Sequence, residues 1–206
     1  MTSPRRIAIY TGSAPGHDPR YAAAAAQLGR HLAQQGIGVV YGGAHIGLMG
    51  TVADAALEAG GEVIGVIPRA LADKELAHTG LTELVTVDTM HERKAAMAER
   101  SDAFVALPGG AGTLEEIFEM WTWQQIGYHA KPCAFYNTGG YWDRLLQSLT
   151  DMADAGFMRR PYLDALVVET SPSTLLEALT AWTPPDVAWM RPGGDDPLPR
   201  VGQAAT

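Results

Sequence analysis

Cysteine is almost absent. Cys133 is the one thiol in 206 residues, which rules out an internal disulfide and a cysteine-built metal cluster and fits a reducing compartment. Positive charge is scarce as well: 15 Lys and Arg stand against 23 Asp and Glu, a net charge of -8. A chain of this sign has no general attraction for nucleic acid or anionic membrane, so neither is expected as a partner, and an anionic ligand would have to be held by local groups. No apolar run is long enough to span a bilayer, and residues 1–6 lead into a strand without a signal-peptide core. The expectation is a soluble, cytoplasmic protein. The six histidines, at 17, 31, 45, 78, 91 and 129, show no ligand spacing, so no metal site is expected.

Apolar material is plentiful, at 47% of the chain, enough for the core of one domain. It is arranged as short runs that end in glycine or proline and resume at helical spacing. Strands are expected at 6–10, 37–41, 63–67, 84–87, 103–107, 132–136 and 165–168, and helices at about 21–35, 50–59, 91–100, 114–125, 141–155 and 172–182. The stretch 69–82 reads as a longer polar connection. Seven strands alternating with helices predict one parallel sheet covered on both faces, a Rossmann-like α/β fold. It would occupy 1–182, followed by a poorly ordered tail at 183–206, where Pro, Gly and Asp gather.

Such a sheet sends every strand-to-helix loop to one edge, where ligands bind. Three of these loops are glycine-rich: Gly12 and Ser13 in the first, Gly42, Gly43 and 47–50 in the second, and Gly109, Gly110, Ala111, Gly112 and Thr113 after the fifth strand. The last is the most informative. Glycines allow close backbone approach, and the first N–H groups of the next helix point at whatever binds there, which suits a phosphate. Glutamate stands where a dinucleotide fingerprint has its third glycine, and the Lys-Ser/Thr ending of an NTPase loop is missing, so neither NAD nor ATP hydrolysis of that type is expected.

Glu115 and Glu116 follow at once. Thr113 with Glu116 matches a capping box, while two adjacent acids exceed what a cap needs, so both readings stand. Taking Leu114, Ile117, Phe118 and Trp121 as the buried stripe leaves Glu115, Glu116 and Glu119 free to face a cleft. Trp121 and Trp123 offer aromatic surface for either a core or a partner subunit. Arg93 and Lys94, near the start of the preceding helix, are the candidates for balancing a ligand's charge.

Met90-His91-Glu92-Arg93-Lys94, taken with Pro108-Gly109-Gly110-Ala111-Gly112-Thr113-Leu114-Glu115-Glu116, resembles the LONELY GUY family, the cytokinin riboside 5'-monophosphate phosphoribohydrolases. The likeness runs from about residue 6 to 182 and takes in Gly42-Gly43, Gly47-Leu48-Met49-Gly50, Asp73-Lys74-Glu75 and His78. It implies hydrolysis of the N-glycosidic bond of N6-substituted adenosine monophosphates without a cofactor. Catalytic roles fall on Arg93 and Glu116. Binding roles fall on Glu75, Lys94, the 109–113 loop and Thr122, with Met90, Glu115 and the two earlier glycine loops around them. A homodimer is implied too. Two alternatives stay open: a nucleosidase for ordinary purine or pyrimidine 5'-monophosphates, and a non-catalytic nucleotide or molybdenum-cofactor binder. The label "lysine decarboxylase", often attached to such sequences, is opposed by the residues. Only Lys74, Lys94 and Lys131 are present, and none has the setting of a pyridoxal Schiff base.

Overall fold

The computed structural model describes residues 3–72 and 76–185. The expected tail from 186 onward and Glu75 therefore lie outside the described residues. Seven strands form one sheet in the order β4-β3-β2-β1-β5-β6-β7: β1 Arg6–Tyr10, β2 Gly38–Tyr41, β3 Val63–Pro68, β4 Glu83–Val87, β5 Ala103–Ala106, β6 Cys133–Tyr136 and β7 Val167–Glu169. Every pairing is parallel. The sheet is Rossmann-like, as the sequence predicts, and strand limits shift by a residue or two.

The helices are α1 Pro19–Gln34, α2 Gly47–Glu58, α3 Arg69–Leu71, α4 Met90–Glu99, α5 Ala111–Gln125, α6 Asp143–Asp154, α7 Arg160–Asp164 and α8 Pro172–Ala181. One apolar core lies between the sheet and α1, α2 and α8, the other between the sheet and α4, α5, α6 and α7. The central strands carry apolar side chains to both faces, so β1, β2, β3, β5 and β6 are buried almost throughout, as a doubly covered parallel sheet requires. α1 and α2 approach closely: a methyl group on Gly29 would run into the Val52 carbonyl.

The switch in strand order falls between β1 and β5. The chain leaves β1 toward β2, β3 and β4, then returns through α4 to β5 and continues the other way. Loops on either side of that point diverge and leave a crevice at the carboxyl ends of the strands.

α4 is fastened by its capping box. Thr89 Oγ1 accepts from Glu92 N at 3.1 Å, and Glu92 Oε2 accepts from Thr89 N at 3.3 Å and Asp88 N at 2.8 Å. Glu92 is thus the reciprocal partner in the cap of α4. The helix whose cap the sequence suggested, α5, has none of this kind. It begins two residues earlier than Thr113, with Gly110 at the N-cap and no side-chain hydrogen bond there. Thr113 lies inside the first turn and Glu116 beyond it, so the Thr113–Glu116 capping box is overturned. The buried stripe is also displaced from the expected one: it runs through Thr113, Glu116, Ile117, Met120, Trp121 and Gln124, while Leu114 and Phe118 are half-buried. Glu116 is therefore on the stripe, and Trp121 is core.

Candidate active site

A cleft of about 520 Å³ opens at the switch point. Its floor comes from the loop after β1 (Thr11, Gly12, Ser13) and from Gly42 after β2. One wall is the start of α5: Gly110, Ala111, Gly112, Thr113, Glu115 and Glu116. α4 contributes Met90 and Arg93. The remaining wall is apolar, made by Ala44, Ile46, Met49, Ile67, Leu71 and Leu76.

The glycine loop is set by backbone bonds from its neighbours. Gly12 N donates to Pro108 O at 3.1 Å, Thr11 Oγ1 to the same carbonyl at 3.1 Å, and Leu107 N to Tyr10 O at 2.9 Å. From the other side, Tyr141 Oη donates to Gly109 O at 2.7 Å. These contacts give the glycines separate duties. A Cβ on Gly109 would collide with the Thr113 hydroxyl and lie 2.9 Å from Gly12 N, whereas one on Gly110 or Gly112 would meet nothing within 4 Å. Gly109 is thus fixed by packing, and Gly110 and Gly112 leave the helix start bare. The expected result is that Gly109→Ala loses about 1–3 kcal/mol through overpacking, while Gly110→Ala stays within about 0.5 kcal/mol of the parent, both measured by urea unfolding. Equal losses would mean that packing does not distinguish the two.

With no capping side chain, the N–H groups of Ala111, Gly112 and Thr113 remain without intrahelical partners, at the positive end of a 15-residue helix. Bare N–H groups at the positive end of a helix suit an anion.

One turn further along α5 is a buried ion pair. Arg93 Nη1 donates to Glu116 Oε1 at 2.5 Å, with side-chain exposures of 8% and 10%. Arg93 Nε donates to Val66 O at 3.1 Å, tying α4 to the end of β3. Gly42 makes room for the guanidinium, since a methyl group there would overlap Arg93 Nη2 and the Met49 methyl. Burial pushes the Glu116 carboxyl above its ordinary value, and Arg93 pulls against that shift. The result is a carboxylate drawn out of bulk water and aimed by a rigid partner.

Lys94, the neighbouring cation, points elsewhere. It is 4% exposed and does not line the cleft; Glu115 and Glu119 both pair with it. Burial works against its charge, yet the two carboxylates hold its ammonium above the ordinary value. Both cations of α4 are thus matched within the protein, and three acids face two bases across α4 and α5. The free N–H groups of α5 are the part of the cleft left to meet an anion.

Of the residues singled out in sequence, Gly12, Ser13, Gly42, Met90, Arg93, Gly110, Ala111, Gly112, Thr113, Glu115 and Glu116 line this one cleft. Gly43, Gly109 and Lys94 support it from behind. Thr122 is exposed, donates to Phe118 O at 2.7 Å, and is not among the lining residues. Sequence reasoning missed most of the apolar wall. Ile67 carries a signal, the carboxyl end of a central strand; Leu71 and Leu76 carry none, because they sit in a stretch read as a polar connection.

Among the described residues there is no group of three or more His, Cys, Asp or Glu placed to hold a metal, and no helix is long and apolar enough to cross a membrane.

The family model described as "Possible lysine decarboxylase" matches residues 49–179. A probable cytokinin riboside 5'-monophosphate phosphoribohydrolase of Oryza sativa subsp. japonica is 44% identical over 181 residues, covering 88% of this chain and 74% of that one. The cytokinin riboside 5'-monophosphate phosphoribohydrolase of Rhodococcoides fascians is 48% identical over 157 residues, covering 76% and 79%. Among solved structures, the molybdenum cofactor binding protein of Rippkaea orientalis superposes with a TM-score of 0.64 at 22% identity, covering 86% of this chain and 95% of that one; at that identity the likeness is one of fold. With relatives this close over three quarters of its length or more, the chain belongs to the LONELY GUY family, whose members carry both the lysine decarboxylase label and the phosphoribohydrolase name.

Proposed function

We propose that the cleft hydrolyses the N-glycosidic bond of N6-substituted adenosine 5'-monophosphates, releasing the free base and ribose 5-phosphate. The names of the relatives support this reading. The observation that carries it is the placement of the Arg93-held Glu116 carboxylate in the same cleft as the bare amino end of α5.

Breaking the ribosyl C–N bond builds positive charge on the sugar, and the transition state resembles an oxocarbenium ion. An anion beside C1′ favours that state over the neutral ground state. In this reading the 5'-phosphate accepts from the N–H groups of Ala111, Gly112 and Thr113, which places the ribose near Glu115 and Glu116. Glu116 stabilises the cation and takes a proton from the attacking water. The water oxygen bonds to C1′ as the electrons of the C–N bond leave with the base, and the proton that Glu116 took from the water passes to the base, which restores the carboxylate. Glu115 is the nearer group for ribose hydroxyls, and Arg93 holds Glu116 ionised and oriented. The apolar wall from Ala44 to Leu76 receives the base and its N6 substituent. Glu75 and Thr122 retain the binding roles the family resemblance implies.

A panel of substrates tests this. Base release is expected from N6-isopentenyl-AMP, with a kcat/KM at least about 10²-fold lower for the matching nucleoside, which cannot use the α5 amides. AMP is expected to be a poorer substrate than its N6-substituted form. Equal rates for nucleoside and nucleotide would remove the phosphate from the reading. Absence of base release from every nucleotide, with tight binding of a pterin, would turn the cleft into a carrier site.

We also infer that the protein works as a homodimer in the cytoplasm. Trp123, half-buried against Tyr128, lies with Ile126 at the end of α5, and Tyr128 is 74% exposed. That aromatic face suits a second copy.

A further inference from the structure

Residues 76–80 follow the apolar wall and are fastened at four points. Two are the hydrogen bonds of a single antiparallel bridge between Ala44 and Ala77: His45 N donates to Leu76 O at 3.0 Å and His78 N to Gly43 O at 2.9 Å. The third is His45 Nδ1, which donates to Leu76 O at 3.0 Å. The fourth is the His78 side chain, which is 12% exposed. Its Nδ1 accepts from Gly80 N at 3.0 Å, so the proton sits on Nε2, which donates to Asp54 Oδ1 on α2 at 2.8 Å. The ring thus binds its own strap on one side and a helix on the other. Both nitrogens are occupied, which excludes His78 as an acid or base in the reaction. Leu76, two residues away, lines the cleft beside Ala44, Ile46 and Leu71.

We propose that His78 and Asp54 are positioning residues that clamp the 76–80 strap to α2 and so set the width of the apolar half of the cleft, where the substituted base is selected. This rests on the function proposed above for its choice of ligands. The bonds to Gly43 and His45 fix the strap's height above the sheet. Among the described residues, the imidazole is what ties it sideways to α2, the helix that also carries Met49 of the same apolar wall. Releasing that tie lets Leu76 shift relative to Met49 and widens the apolar half. The polar half, built from other loops, is unaffected.

The test is a comparison of two substrates. His78→Ala is expected to raise KM for N6-isopentenyl-AMP about tenfold, while KM for AMP and both kcat values change less than about twofold. Asp54→Ala is expected to shift the same ratio about threefold, and Asp54→Asn, whose amide oxygen still accepts from Nε2, to restore it. Hydrogen exchange at Gly80 and His78 N–H should accelerate in His78→Ala, with the amides of α5 unchanged. Should His78→Ala fail to fold, the two Asp54 variants decide. A KM ratio that stays constant, or that changes through equal losses on both nucleotides, overturns the clamp. If the parent protein binds both nucleotides but releases no base, the proposed activity falls on its own, and the ratio of dissociation constants measured by calorimetry judges the clamp instead.

Discussion

Glu116→Gln is expected to lower kcat by about 10³–10⁴-fold with little change in substrate binding or stability. Glutamine keeps an oxygen that accepts from Arg93 Nη1, so the ion pair at 2.5 Å becomes a hydrogen bond from the still-cationic guanidinium to a neutral amide and the donor keeps its partner. What disappears is the negative charge beside the developing ribosyl cation and the acceptor for the water's proton. The pH profile gives an independent reading. Since burial holds the Glu116 carboxyl above 4.5, kcat of the parent should fall on acidification along a limb whose midpoint lies above that value, and the limb should vanish in the glutamine variant. For stability the sign is opposite to that of a carboxylate with a lowered pKa. The folded state binds this proton more readily than the unfolded chain, so this group's contribution decreases as pH rises through 4.5 and levels off above the folded-state pKa. Near-normal turnover of Glu116→Gln would remove the residue from the chemistry.

Arg93→Ala should strike both activity and stability. The guanidinium is buried and makes two bonds, to Glu116 and to Val66 O. Removing it leaves a buried carboxylate without its partner, a loss of about 3–5 kcal/mol in urea unfolding. The carboxyl then takes up a proton more readily, and kcat should fall at least about 10³-fold at neutral pH. Arg93→Lys is expected to recover little, because an ammonium cannot reproduce the planar fork that spans the two acceptors. A stability loss for Arg93→Ala plus Glu116→Ala well below the sum of the single losses would identify the pair as one unit. Retained turnover in Arg93→Ala would reduce it to a buried structural cation.

The sheet was legible because its central strands are uninterrupted apolar runs ended by Pro or Gly, and the cleft was legible because three such endings converge on one edge. The start of α5 was not. A helix capped by the backbone of Gly110 leaves no side-chain mark, and Thr113 with Glu116 happened to match a pattern that belongs, in fact, to Thr89 and Glu92. The burial of Glu116 escaped for a related reason: periodicity assigns an acid to the wet face, and only an arginine from another helix makes its burial tolerable. Leu71 and Leu76 escaped because their role depends on where the chain between β3 and β4 folds back, which no local spacing records. α7, with five residues, is too short for periodicity to register.

The division of the cleft between chain segments has an evolutionary corollary. In the function proposed above, the groups that would hold phosphate and carry out hydrolysis arise from the turns after β1 and β5 and from α4, whereas Ile67, Leu71 and Leu76 come from the end of β3 and the connection beyond it. Insertions or hydrophobic exchanges in that connection are expected to reshape the compartment for the leaving group without disturbing the hydrolytic half. On that reading substrate range and reaction lie on separate stretches of chain, and a library confined to residues 69–80 would be the economical route to enzymes that release other bases.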